Sequence, residues 1–321
     1  MVVGQQNKIM KKILIINFFL FFLILISLEL ISKSLKLSGL MGIQNGLIYN
    51  KNDINFFYPN VEGIIFDEKI YTDKHGFRVP TKDFDYKGNK NILILGDSVA
   101  FGNGVKEEKT FVGLLRNYIK DYNLYNSSVP GYQIKDQIYL INHINTIGNI
   151  ERIIYFFTLN DIYGDSHIKK PNDKFVKESD FSLKKINLFN SINSFLRNKS
   201  YLYMFIKGLS TDPSKRWFLN IFKRYEQDDL SEIRKNFTIL KKISDESESK
   251  LIIILLPYEY QTRRCTKEIL LPQYKLKKAI KDTNIDFKDF TNILCEQKKP
   301  KKYFYKYDPM HLSKKGHMLI F

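Results

Sequence analysis

Ser98, Asp308 and His311 are the residues of this chain whose types and order can do chemistry together. A serine hydroxyl is a weak nucleophile at neutral pH. It becomes a useful one when a histidine within hydrogen-bond reach takes its proton and a carboxylate holds that histidine in the right tautomer. Here the serine closes the run Ile92-Leu93-Ile94-Leu95-Gly96-Asp97-Ser98, and the other two groups stand three apart in Asp308-Pro309-Met310-His311 near the other end of the chain. That spacing lets one local turn present both. An apolar run that breaks into Gly-Asp-Ser reads as a buried strand delivering its serine to a sheet's carboxyl edge, where open α/β folds place ligands. The order Ser, Asp, His points to ester hydrolysis or acyl transfer.

From residue 91 onwards, strand and helix patterns alternate. Short apolar runs predict strands at 92–95, 124–126, 152–159, 251–256 and 285–287. Between them, 3.6-residue periodicity predicts helices at 110–120, 134–147, 230–244 and 273–281, with a last helix from Ser313. Such alternation predicts an α/β fold of three layers, a doubly wound parallel five-stranded sheet covered by helices on both faces. Ahead of it, 32–90 reads as a stalk and a small lead-in, β-rich over 49–80 with Pro59, Gly63, Gly76 and Pro80 as breakers. Residues 163–229 form an insertion too long for a simple loop, aromatic-rich over 189–209. It fits a lid or substrate platform above the sheet edge, or a solvated helical excursion. Its aromatic residues suit stacking on sugar rings or an ordinary core.

Two further pieces follow predicted strands. In Ser128-Val129-Pro130-Gly131-Tyr132, a glycine lets a backbone N–H approach a reacting oxygen closely. In Leu159-Asn160-Asp161, the Asn160 amide is a natural second donor. Taken alone, Gly131 fits an ordinary turn and Asn160 an Asx turn. Asp97 and Asp161 suit helix capping or loop organisation better than a direct chemical role.

The four pieces in this order resemble the SGNH, or GDSL-type, hydrolase superfamily over residues 91–321. Gly96-Asp97-Ser98 is similar to its first block, Gly131 to the second, Asn160 to the third, and Asp308 with His311 to the fifth. The resemblance implies a flavodoxin-like SGNH fold, with Ser98 as nucleophile, His311 as general base and Asp308 as the orienting acid. It also implies an oxyanion hole made by the backbone N–H groups of Ser98 and Gly131 and the Asn160 side chain. Thr158 stands where the third block usually has glycine. Asp73-Lys74-His75-Gly76-Phe77-Arg78 and Ala100-Phe101-Gly102-Asn103-Gly104-Val105 look like segments of bacterial envelope members, with no mechanism attached to them.

Residues 13–31 are apolar apart from Asn17, Ser27 and Glu29, and follow Lys8, Lys11 and Lys12. They predict a transmembrane signal anchor rather than a removed signal peptide or a buried core helix, because Ser32-Lys33-Ser34 is a poor cleavage site. The basic residues before the segment place 1–12 in the cytoplasm and the large domain outside. The expected location is the inner membrane, single-pass, with the catalytic domain periplasmic or extracellular. With 321 residues and 44% hydrophobic content, the chain can bury one full-sized domain. Its net charge of +17 suits nucleic acid, anionic lipid or an acidic polymer, and equally a compositional bias. No nucleic-acid-binding motif accompanies it. Cys265 and Cys295 form no metal-ligand pattern, so they are either one disulfide or two thiols. His75, His143, His167 and His317 lack ligand-like spacing and are expected at the surface or in turns.

The expectation is a serine esterase acting on acyl groups, acetyl above all, of a cell-envelope carbohydrate, with O-acyl transfer through the same triad as its alternative. No metal or organic cofactor is implied. A non-catalytic glycan-binding or assembly subunit that keeps the fold is a further reading, and a nucleic-acid binder rests on charge alone. Partners are the ester substrate and the membrane, and oligomeric state is not legible.

Overall fold

A computed structural model of the chain describes residues 2–144, 147–162 and 180–321. The first part of the expected insertion, with His167, lies outside the described residues, as do positions 145 and 146 in the helix expected over 134–147. Helix α1 (Val2–Ser34) opens the chain, and its stretch Met10–Ser34, 25 residues long, is long and apolar enough to cross a membrane. At about 1.5 Å per residue it exceeds the roughly 30 Å of a hydrocarbon core.

A ribbon follows, β1 (Ile48–Lys51) with β2 (Ile54–Phe57), turned through Asn52 and Asp53, both at positive φ. Next come β3 (Glu62–Ile65), β4 (Glu68–Thr72) and β5 (Arg78–Val79), antiparallel to one another. Through Arg78 opposite Asn126 they join the central sheet and extend it.

The parallel part begins with β6 (Lys90–Gly96), whose residues from Ile92 to its end are all buried, as expected of a strand covered on both faces. After it come α2 (Ser98–Phe101), α3 (Phe111–Tyr118), β7 (Tyr122–Asn126), α4 (Ile134–His143) and β8 (Ile150–Phe157). Three helices, α5 (Asp180–Lys199), α6 (Tyr201–Ser210) and α7 (Pro213–Gln227), occupy the described part of the insertion. The chain continues with α8 (Ser231–Glu246), β9 (Lys250–Leu255), α9 (Glu259–Thr262), α10 (Leu271–Ile280), β10 (Asp286–Asp289), α11 (Thr291–Cys295) and α12 (Lys314–Ile320).

The strand order is β10-β9-β8-β6-β7-β5-β4-β3, with the first five parallel. Numbered among themselves, those five give the flavodoxin-like order 2-1-3-4-5. α3 packs with α12 and α4 with α8, which also meets α10, so helices cover both faces. The switch point falls at β6, which puts the Gly-Asp-Ser corner where two crossovers diverge. The expected strand over 152–159 stops at Phe157, and Leu159–Ile162 forms a 3-10 turn instead. Cys265 and Cys295 are bonded, tying the segment after α9 to α11.

Candidate active site

β6 ends at Gly96, where an added Cβ would lie 2.5 Å from the Ala100 methyl, so only glycine lets the chain turn this tightly into α2. Asp97 caps α2, its Oδ1 accepting the Val99 N–H at 2.8 Å. Ser98 is the first residue of α2, and its own N–H therefore stays outside the helical ladder. The far end of α2 is held by a residue whose role the sequence did not disclose. Arg78, wholly buried, donates to the carbonyls of Phe101, Gly102 (2.7 Å) and Val105 and lies over the Phe101 ring. Burial lowers its guanidinium to about 9, which leaves it charged at neutral pH. Asn126 adds a bond to the Ala100 carbonyl at 3.2 Å. The Gly-Phe-Arg segment and the run from Ala100 to Val105 are thus two halves of one contact.

The loop between the 3-10 turn Pro300–Tyr303 and α12 brings the other two groups to Ser98. It is closed by Tyr305 N–H donating to the His311 carbonyl at 2.7 Å. Asp308 Oδ1 accepts the N–H groups of Met310 (2.9 Å) and His311 (2.7 Å), and its Oδ2 lies 2.7 Å from His311 Nδ1. His311 Nε2 lies 2.7 Å from Ser98 Oγ. All three side chains are buried, with Ser98 and His311 only 8% and 9% exposed. Burial alone would raise the Asp308 carboxyl, but the His311 charge and its hydrogen bonds hold it below the usual carboxylate range. Burial alone would lower His311, yet Asp308, with Asp97 further off, leaves it above the ordinary imidazole value.

Phe66 packs edge-on against the His311 ring at 5.1 Å. It sits with Asp67 in the tight turn from β3 to β4, both at positive φ, an uncommon place for a bulky side chain. Sequence reasoning had no signal for this contact. Tyr307, next to Asp308, is likewise at φ 60, a cost accepted where a loop must aim its neighbour.

Gly131 has a left-handed φ of 88, with open space where a Cβ would be, and its N–H has no backbone partner among the described residues. Asn160 lies in the 3-10 turn after β8. Its Oδ1 accepts from the Tyr258 hydroxyl at 2.5 Å and lies 2.8 Å from Thr158 Oγ1, which turns the Nδ2 group toward Asp97 Oδ2 at 3.4 Å. Tyr258, buried at the start of α9, is a second partner that the sequence did not mark.

Thr158 supplies a connecting hydroxyl. Its Oγ1 lies 2.9 Å from Asp97 Oδ2 and 3.0 Å from Asp161 Oδ1, while Asp161 Oδ2 takes the Tyr155 hydroxyl at 2.9 Å. One hydroxyl proton serves only one of these two carboxylates and the amide oxygen at a time, an arrangement that favours a proton on a carboxyl. In agreement, burial raises Asp97, and burial together with Asp97 raises Asp161 well above the usual range. Both aspartates organise the floor of the site, as capping and loop residues.

The other histidines divide. His143 is exposed and stacked on Tyr139, while His75, half-buried, stacks on Phe77. His317 departs from the surface expectation: it is wholly buried, its Nδ1 accepts the Phe111 N–H at 3.2 Å, and burial lowers it to about 3. It joins α12 to α3 as a neutral ring.

No family model matches the chain, and no curated protein matches it. Solved structures similar to it include TesA, at 12% identity over 72% of this chain and 94% of that one, with a TM-score of 0.42. A lipase/acylhydrolase from Enterococcus faecalis shares 16% identity over 72% of this chain and 91% of its own, with a TM-score of 0.41. A member of the lipolytic protein G-D-S-L family from Veillonella parvula shares 17% identity over 72% and 93%, with a TM-score of 0.39.

Proposed function

We propose that this chain is a membrane-anchored serine ester hydrolase of the SGNH type, acting on ester-linked acyl groups, acetyl above all, of a cell-envelope carbohydrate. The observation that carries the reading is the continuous line from Asp308 through His311 to Ser98, with both contacts at 2.7 Å. His311 Nε2 takes the Ser98 proton as Oγ attacks the ester carbonyl. The resulting oxyanion is met by the N–H groups of Ser98 and Gly131 and by the Asn160 amide, donors fixed before reaction begins. His311 then gives its proton to the departing sugar oxygen, leaving an acyl group on Ser98. Water enters, His311 takes its proton, and the acid is released with Ser98 restored.

Acyl transfer is the second reading, with a sugar hydroxyl in place of water in the last step. The near-complete burial of Ser98 and His311 favours keeping it, because exclusion of water is what transfer needs. α1 anchors the enzyme in the inner membrane with its catalytic domain outside the cytoplasm, where the Cys265–Cys295 bond is stable. The test compares parent and Ser98→Ala for acetate release from p-nitrophenyl acetate, with an oligosaccharide acceptor in parallel reactions. Serine-dependent release supports the enzyme, and acetyl found on the sugar selects transfer. Equal behaviour of the two folded proteins would return the chain to a glycan-binding role.

A further inference from the structure

A cavity of about 240 Å³ opens beside the loop that carries Asp308. Its walls include Tyr307 and Pro309, the chain neighbours of Asp308, together with Trp217 of α7 and three cations, Arg197, Lys207 and Arg216. Among the described residues, no carboxylate lines it. Among the described residues, the hydrogen-bond partners of the first two cations are uncharged: Arg197 donates to the Met41 sulfur at 3.1 Å and Lys207 to Asn193 Oδ1 at 2.7 Å. Three like charges around one small space raise its positive potential and draw in an anion. Burial, with Arg197 and Arg216 close by, pushes the Lys207 ammonium below its ordinary value, the direction expected of cations without a counterion.

The cavity also adjoins the reaction centre through the loop that carries Asp308. Tyr307 and Pro309 flank the orienting carboxylate. The cavity volume is below the roughly 300–1,000 Å³ of a pocket for a whole drug-sized ligand, so it suits one unit of a larger substrate. Aromatic faces beside guanidinium and ammonium groups fit a sugar ring that carries a negative charge.

We propose that this cavity is a subsite for an anionic substituent, a carboxylate or a phosphate, on the carbohydrate that bears the ester. The assignment rests on the ester-hydrolase reading for the identity of that carbohydrate. Trp217 is the single tryptophan of the chain, so its fluorescence reports the cavity directly. The full chain in detergent, as parent and as Ser98→Ala, is titrated with glucuronate, glucose 6-phosphate, glucose and glycerol 1-phosphate, and the titrations are repeated by calorimetry. Saturable responses to the two acidic sugars, at least about tenfold tighter than to glucose and weakened about tenfold or more in Arg216→Gln and in Lys207→Gln, are expected. Equal affinity for glucose and glucuronate, indifference to both substitutions, or silence in both measurements overturns the proposal. Binding of glycerol 1-phosphate with the acidic sugars silent overturns it in favour of a lipid headgroup. Because binding is read with Ser98 absent, failure of the esterase test and failure of this one are separate results.

Discussion

At the scale of single residues, the site depends on charges that are buried and on how they are paired. Because Asp308 and Asp97 raise His311, the base loses its proton only above the ordinary imidazole value of about 6.5. The pH profile of kcat/KM is therefore expected to rise through an apparent pKa above that value. Asp308→Asn removes the first-named charge, so the limb should move down while kcat falls by about 10⁴-fold, since the ring also loses its tautomer control. An unshifted limb in the variant would count against the pairing. The raised carboxyls beneath Ser98 act oppositely on stability. From roughly pH 4 upward, the folded chain keeps a proton that the unfolded chain has released, so their contribution falls as pH rises through their folded values. Asp161→Asn, which mimics the protonated acid, should flatten that fall, as read from unfolding midpoints across a pH series. The juxtaposition of Ser98, Asp308 and His311 was legible because each stands at a strand end or in a short motif. Tyr258, Thr158 and Phe66 act through contacts between distant segments, and nothing in their local sequence announces such contacts.

At the scale of elements, α2 is only four residues long and cannot hold itself, so its geometry comes from its two ends. Asp97 and Gly96 fix the start, and Arg78 fixes the finish. Arg78→Lys keeps a charge but loses the fork that reaches three carbonyls at once. A loss of about 2–4 kcal/mol in unfolding free energy is expected, with kcat reduced more than KM is raised. Denaturant titration and steady-state kinetics check the two halves, and an unchanged kcat would show that α2 is positioned without Arg78. The disulfide closes a segment spanning 30 residues and contributes about 3–4 kcal/mol in the chain-entropy model. Replacing both cysteines by serine should lower Tm by on the order of 10 °C. The parallel strands and their helices were legible because buried runs and helical periodicity differ in length and spacing. The joining of β3, β4 and β5 to the sheet edge was not. It rests on a two-residue strand, Arg78–Val79, too short to carry a pattern.

At the scale of the whole molecule, the domain is not simply tethered to α1. Glu29 accepts hydrogen bonds from Ser200 Oγ and Tyr201 N–H at 2.7 Å and from Leu202 N–H at 3.1 Å, so the top of the apolar helix caps α6. The described part of the insertion therefore stands at the α1 end of the domain, with the cationic cavity beside the Asp308 loop. Glu29→Ala is expected to speed amide hydrogen exchange in the first turn of α6 without releasing the protein from membranes. Unchanged exchange there would show that the contact does not hold the domain. The apolar length of α1 was plain in the sequence, whereas its docking was hidden, because a lone glutamate near an interface says nothing about which helix end it will meet. Everything above depends on Ser98 being an activated nucleophile. The most direct measurement is reaction of the detergent-solubilised full chain with a fluorophosphonate, followed by mass spectrometry of the labelled peptide. One label per chain is expected, on Ser98, absent in Ser98→Ala and slowed by orders of magnitude in His311→Ala; a folded chain that takes no label at Ser98, or takes it equally well without His311, would show that Ser98 is not an activated nucleophile.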